Sequence, residues 1–352
     1  MGAFNVTGLV QADAVELPLA DDSVDLVVTS PPYFALRSYQ DDGDHYDGQI
    51  GSEATPAEFL DALWAVTAEC VRVLKPSGSL WVNLGDKYAG SAGWCNNEKS
   101  ALSSTIRGAG DQQRTNAHRT PKTPVTTIRP KSLMGLPWRY AIGCIDDLGL
   151  ILRAEVIWSK PNGLPESIKD RVRRSHEQWF HFTLEPRYFS ALDEIREPQK
   201  GGVVVAPGAT RNVGGGSDLD SGAFSKDGGF NDYRNTNGIA YNPLGKVPGS
   251  VWSIPSEPLQ VPDDLGVDHF AAFPQEWPRR LILGWCPPDG VVLDPFAGTG
   301  TVPMVARALG RTGIGVDLSA DYLRLAAWRV FESGHASKTI ARTNGERQGL
   351  LL

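Results

Sequence analysis

"VDLVVTSPPYFAL", residues 24–36, decides how the rest of the chain is read. Val24 to Val28 is a short, apolar, β-branched run of the kind buried in a sheet. Pro31 and Pro32 then forbid any continuation of the ladder, because neither has an N–H to donate. The chain must leave the sheet at the strand's carboxyl end in a stiff, extended turn with Tyr33 at its tip. In open α/β sheets that edge is where ligands bind. Taken alone, Pro-Pro-Tyr reads equally as a rigid loop with an aromatic plug or as part of a site.

Working outward, "EFLDALWAVTAECVRVL" (residues 58–74) has helical apolar spacing and ends in the stop signal Lys75-Pro76-Ser77-Gly78. "SLWVNLGD" follows as a strand. "PWRYAIGCIDDLGLIL" is a second helical stretch broken at Gly149, and "RAEVIWSKP" is a strand ending at proline. "HEQWFHFTLEPRYFS" gives strand signals on both sides of a turn at Pro186, and a helix is expected around Pro278 to Gly284. Helices alternating with apolar strands predict an α/β fold with a doubly wound, mostly parallel sheet. One domain is expected over residues 1–332, with insertions at about 88–132 and 200–248 and a polar tail over 333–352. The second insertion is rich in Gly, Asn and Ser and is expected to be partly mobile. Trp158, Trp179 and Trp252 are expected in the core.

"VVLDPFAGTGT" (residues 291–301) carries the second signal. An apolar strand ends in Asp294, and a turn with Gly298 and Gly300 opens a helix whose N-terminal N–H groups are free. This is not the dinucleotide fingerprint, since Pro303 stands where a third glycine belongs. Asp294 would repel a pyrophosphate and suits a cationic, amine-bearing ligand. The next strand, "GIGVD", ends in Asp317, placed to accept hydrogen bonds from ribose hydroxyls. Acid, glycine turn and second acid describe a site for S-adenosylmethionine.

The 352-residue chain carries a net charge of −7, which argues against a surface coated in positive charge. The distribution matters more than the sum. Between Lys99 and Arg139 there are eight Lys or Arg and a single acid, Asp111. That stretch reads either as a solvated loop or as a nucleic-acid contact that orders on binding. No apolar run approaches the roughly 18 residues that cross a membrane, and no signal-peptide pattern opens the chain, so a cytoplasmic protein is expected. Four scattered cysteines, without a Cys-x-x-Cys pair, predict neither a disulfide framework nor a metal site.

With these motifs in hand, the chain resembles the DNA amino-methyltransferases of the β group, which methylate exocyclic amines of cytosine or adenine. "DPFAGTGT" matches their cofactor motif and "TSPPY" their catalytic motif, in the permuted order that marks the group. "GLVQADAVELPLADDSVDLVVTSPPY", "RVLKPSGSLWVNLGD", "EVIWSKPNGLPESIKDRVRRSHEQWFHFT" and "HFAAFPQEWPRRLI" resemble further blocks of that family. The resemblance implies a Rossmann-like S-adenosylmethionine-dependent fold with helices on both faces of the sheet. It assigns catalysis to Ser30, Pro31, Pro32 and Tyr33. It assigns the cofactor to Asp13, Phe273, Pro274, Asp294, Phe296, Gly298, Gly300, Thr301 and Asp317. In this family variable insertions often carry sequence recognition, which favours Arg107, Arg114, Arg119 and Lys122 as DNA contacts. Lys160, Arg171, Arg173, Arg174 and His176 are further candidates, each with a plain alternative: a surface lysine, arginines paired to Asp170 and Glu177, a loop histidine.

An exocyclic amine is a poor nucleophile, because its lone pair is delocalised into the ring. The Pro31 carbonyl and the Ser30 hydroxyl can each accept one of its hydrogens, favouring a tetrahedral nitrogen aimed at the sulfonium methyl. Tyr33 offers a face for the base to stack on once it has left the duplex. Ser-Pro-Pro-Tyr is commoner among the family's cytosine-N4 enzymes, so N4 of cytosine in duplex DNA is the expected target. Adenine N6 is the alternative, and a catalytically silent DNA-binding protein a second one. The resemblance also brings a homodimer and a cognate restriction enzyme into view as partners.

Overall fold

A computed structural model of the chain describes residues 7–35, 40–41, 44–45, 49–90, 127–163, 165–198, 244–259, 261, 265 and 273–332. Eight strands form one sheet: β1 (Gly8–Gln11), β2 (Val24–Thr29), β3 (Leu74–Leu84), β4 (Ile151–Ser159), β5 (His176–Thr183), β6 (Val251–Ser253), β7 (Val291–Asp294) and β8 (Thr312–Asp317). Their spatial order is β1-β8-β7-β2-β3-β5-β4-β6. The run from β1 to β3 is parallel, β5 is antiparallel to both β3 and β4, and β6 lies parallel to β4. Strand β2 is buried along its whole length, as a strand flanked by neighbours and covered on both faces must be.

Helices cover both faces, as expected. Helix α1 (Pro56–Val73) starts on a Thr55–Glu58 capping box with proline in its first turn, which places its start ahead of the expected Glu58. Phe59, Leu60, Leu63, Val66, Cys70 and Val73 recur at helical spacing. With Leu136, Tyr140 and Ala141 of α2 (Leu136–Asp146) they bury one face of the sheet, against Val27, Leu80, Val82, Phe180 and Phe182. Helices α3 (Glu276–Trp285) and α4 (Thr301–Ala308) cover the other face, against Leu26, Val28, Trp81, Trp179 and Val292. Helix α5 (Ala320–Ala327) follows β8 and runs into a π-helical turn, Trp328–Glu332. On the second face Trp252, Trp277 and Trp179 form a stack with ring centroids 4.9 and 4.7 Å apart, and Trp158 meets Trp277 edge-on. These tryptophans are core, as expected.

Three expectations about elements are corrected. Helix α1 stops before Lys75–Gly78 as expected, but the strand expected from Ser79 begins at Leu74, with these four residues as an irregularity between the pairs Val24↔Leu74 and Leu26↔Ser79. Lys75 is held there by Asp25, whose carboxylate also accepts from Val291 N at 2.8 Å. The second helix stops at Asp146, and past Gly149, in a left-handed conformation (φ 66°), Ile151 and Leu152 are strand rather than helix. After β5 no strand follows Pro186: Thr183 Oγ1 donates to Glu185 O, and the chain bends into a short 3-10 turn at Leu192–Ile195.

Both expected insertions spring from closed stems. Tyr88 bridges Leu133, with Ala89 N donating to Ser132 O and Lys131 N to Ala89 O, and Glu197 bridges Lys246 with reciprocal backbone bonds at 2.9 Å. Residues 91–126 and 199–243, and the tail from residue 333, lie outside the described residues. Among the described residues no helix is long and apolar enough to cross a membrane.

Candidate active site

Because β1, β8, β7, β2 and β3 are parallel, their carboxyl ends share one edge, and the antiparallel β5 brings its amino end to the same edge. In sheet order that edge carries Asp13, Asp317, Asp294, the Thr29–Tyr33 turn, Asn83, Glu177 and, following β4, Lys160. Two sequence motifs more than 250 residues apart thus leave the sheet from the neighbouring strands β7 and β2.

On the β7 side, Asp294 is only 1% exposed; its Oδ1 accepts from Thr29 Oγ1 at 2.8 Å and from Phe296 N at 3.1 Å. Burial pushes its carboxyl up to about 7, against the lowering effect of those two bonds, and the nearby Asp317 charge raises it further. Gly298 and Gly300 take left-handed φ angles of 49° and 71°, and a Cβ on Gly300 would sit 2.9 Å from Ala326 Cβ. Asp317 closes the turn, accepting from Gly298 N at 2.9 Å and Ser319 N at 3.0 Å. Pro303 lies in the first turn of α4, where no N–H is missed. Gly313 has no room for a Cβ, which would meet Pro303 Cα at 2.5 Å. The helix therefore packs directly on β8.

Thr301 is buried, and its hydroxyl accepts from Arg329 Nη1 at 2.6 Å; Thr299 Oγ1 accepts from the same nitrogen at 2.7 Å. Burial lowers this guanidinium to about 10. Phe273 meets Trp179 edge-on at 5.7 Å, Phe296 packs on the α1 face, and Pro274 O accepts from Trp277 N. Asp13 is exposed after β1, and its Oδ1 accepts from Val15 N.

On the β2 side, Ser30 Oγ lies 3.2 Å and Tyr33 Oη 2.8 Å from Asn83 Oδ1. Asn83 is buried and oriented by its Nδ2 donating to Gln178 O. Tyr33 Oη is also 2.9 Å from Glu177 Oε2, whose other oxygen is held by Lys160 Nζ at 2.5 Å. The Lys160 ammonium stands 4.0 Å over the Trp158 ring. Gly85 closes in on Tyr33: a Cβ there would fall 2.7 Å from Cε2 of the ring.

The basic residues after β4 already have partners within the chain. Arg171 pairs with Glu166 at 2.9 Å and stacks over Tyr88 at 4.0 Å, Arg173 donates to Gly163 O, and Arg174 donates to Asp86 O. Asp170 pairs with Lys131, not with these arginines. Arg171 therefore leans on the stem from which the basic insertion emerges. His176 is exposed at the start of β5, opposite Ser159. Arg107, Arg114, Arg119 and Lys122 lie outside the described residues. Among the described residues no group of three His, Cys, Asp or Glu side chains is placed to hold a metal.

Asn83 and Arg329 had no place in the sequence reading, and Glu177 figured only as an arginine partner. Asn83 had a signal: one amide in the otherwise apolar run "LWVNL" must find a buried partner. Arg329 had none, because its partners lie 28 and 30 residues away in the chain.

A family model described as DNA methylase matches residues 24–327. The chain is 36% identical over 315 residues to the Type II methyltransferase M.XycI of Xanthomonas campestris pv. cyanopsidis, covering 89% of this chain and 83% of that one. It is 34% identical over 332 residues to the Type II methyltransferase M.Cfr9I of Citrobacter freundii, covering 93% and 88%. Among solved structures, the PvuII DNA methyltransferase (cytosine-N4-specific) superimposes with a TM-score of 0.58 at 19% identity, over 96% of this chain and 93% of that one.

Proposed function

Since the chain belongs to the DNA methylase family that acts on exocyclic amines with S-adenosyl-L-methionine as methyl donor, we propose that it methylates N4 of cytosine in duplex DNA. The observation that carries this reading is the Ser30–Asn83 contact at 3.2 Å. With Asn83 fixed as an acceptor by Gln178 O, the Ser30 hydroxyl donates to it and keeps its lone pairs for an amine. Pro31 adds a carbonyl next to a nitrogen without a hydrogen. Two neutral acceptors thus converge on one NH₂ and turn its lone pair out of the base plane.

The donor set fits the cofactor. Asp294 and Asp317 offer carboxylates to a cationic methionine end and to ribose hydroxyls, and Gly298 and Gly300 let a ligand approach the turn. Phe273 and Pro274 close over the methionine end. When bound, the cofactor supplies an electrophilic methyl on its sulfonium. Pro31 O and Ser30 Oγ would hold the amine with its lone pair facing that methyl, and the proton the amine gives up on gaining it would pass to water. Tyr33 stacks on the flipped base, which costs a few kcal/mol to extrude. Arg107, Arg114, Arg119 and Lys122, with Arg171, Arg173, Arg174 and His176, form the DNA-facing set, while Lys160 is turned to Glu177. The Type II names of the relatives support a cognate restriction enzyme as partner.

The test is to incubate the protein with unmethylated DNA and isotopically labelled S-adenosylmethionine, digest to nucleosides and identify the product by mass spectrometry. Labelled N4-methylcytosine is expected. Labelled N6-methyladenine would keep the mechanism and overturn the base.

A further inference from the structure

Tyr33 Oη has one proton and two acceptors in reach, Asn83 Oδ1 at 2.8 Å and Glu177 Oε2 at 2.9 Å. Ser30 Oγ has its own proton to place on that same Asn83 oxygen. Asn83 offers no second arrangement, because its Nδ2 is committed to Gln178 O. The amide oxygen has two lone pairs and meets both hydroxyls, and Glu177 adds a charged anchor, which holds a hydroxyl roughly twice as strongly as a neutral amide does. Glu177 itself is pinned by Lys160, which packs on Trp158.

We propose that Glu177 is a positioning residue for methyl transfer. It holds the Tyr33 hydroxyl together with Asn83 and so fixes the plane of the Tyr33 ring on which the base stacks. Lys160 acts one step further back, by holding the carboxylate in place. This inference rests on the reading that the target base stacks on Tyr33. Without the carboxylate, the Tyr33 hydroxyl loses its charged anchor and the ring tilts out of the plane the base needs.

The experiment is a double-mutant cycle on the single-turnover transfer rate at saturating DNA and cofactor, with wild type, Glu177→Gln, Tyr33→Phe and the double variant. Glu177→Gln is expected to slow transfer about ten- to hundredfold, with cofactor and DNA affinities unchanged within about twofold. In the Tyr33→Phe background the same change is expected to cost less than about twofold, since its only route of action is gone. Losses that multiply in the double variant, or a DNA affinity that falls while the rate holds, would overturn the inference and make the Lys160–Glu177 pair a structural or DNA-contacting element. If Glu177→Gln fails to bind cofactor, Lys160→Met serves in its place: a smaller rate loss that vanishes with Tyr33→Phe supports the inference, and a multiplicative one sinks it. No transfer by the wild type overturns the functional reading itself. Transfer by the wild type with multiplicative losses overturns this inference alone.

Discussion

Thr29 Oγ1 donates to Asp294 Oδ1 at 2.8 Å, joining residues 265 positions apart in the chain. The residue just before the Ser30–Tyr33 turn thereby touches the acid at the head of the Gly298–Gly300 turn. Protonation at one motif is set partly by the other.

The first prediction follows from that bond. Burial holds the Asp294 carboxyl up at about 7, so below that pH the free protein must lose a proton to meet a cationic cofactor. The affinity for S-adenosylmethionine is expected to fall about tenfold per pH unit below 7, read by calorimetry between about pH 5.5 and 8. Thr29→Val removes a bond that lowers this value, and its midpoint should move to higher pH. Asp294→Asn should bind weakly at every pH with no such slope. A parallel slope in wild type and Asp294→Asn would refute the assignment.

Gly85 provides a lesion confined to the base side. An added Cβ would strike Tyr33 Cε2 at 2.7 Å and displace the ring. Gly85→Ala is expected to reduce the transfer rate about ten- to hundredfold while cofactor affinity stays at the wild-type level. Equal losses in both would place the defect in the fold.

Stability should carry two opposed titrations. Asp294 rises from 3.8 to about 7 on folding, so the folded state holds a proton the unfolded state releases, and this group's contribution to stability falls as pH rises through that window. His181 is stacked on Trp81 at 4.4 Å and within 3.0 Å of Ser79 Oγ; burial pushes it down from 6.5 to about 3. Here the unfolded state binds the extra proton, and stability is lost as pH falls below 6.5. The two partly cancel in the wild type. Asp294→Asn leaves His181 unopposed, so its unfolding free energy should fall more steeply between about pH 6.5 and 4, by about 1.4 kcal/mol per unit. Urea titrations at three pH values check this; identical slopes would contradict it.

DNA binding is expected to depend steeply on salt, because a chain with net charge −7 must meet phosphates through a local basic surface. Replacing Arg107, Arg114, Arg119 and Lys122 together with Ala should flatten the slope of log affinity against log salt by roughly 0.9 for each phosphate that is no longer neutralised. An unchanged slope would move the interface away from the 88–132 insertion.

How far the sequence carried the reading depends on where each signal resides. The two turns were legible because prolines and glycines act locally: nothing else continues from Val28 into Pro31-Pro32, or from Asp294 into Gly298 and Gly300. The alternation of strands and helices was legible for the same reason. What escaped depends on the third dimension. Lys75–Gly78 reads as a stop, yet Leu74 pairs with Val24 before the chain has turned. Glu177 sits among arginines in sequence, but the antiparallel pairing Trp158↔Glu177 places it beside Lys160 instead. No local pattern encodes that register.

The indole stack also makes the molecule its own optical instrument. Phe273, in the block expected to close over the cofactor, leans edge-on against Trp179, and Trp179 continues through Trp277 to Trp252. A shift of that phenyl ring perturbs the first member of a coupled chromophore series buried away from water. Cofactor docking at the proposed site is thereby expected to change the intrinsic ultraviolet emission, without any attached dye.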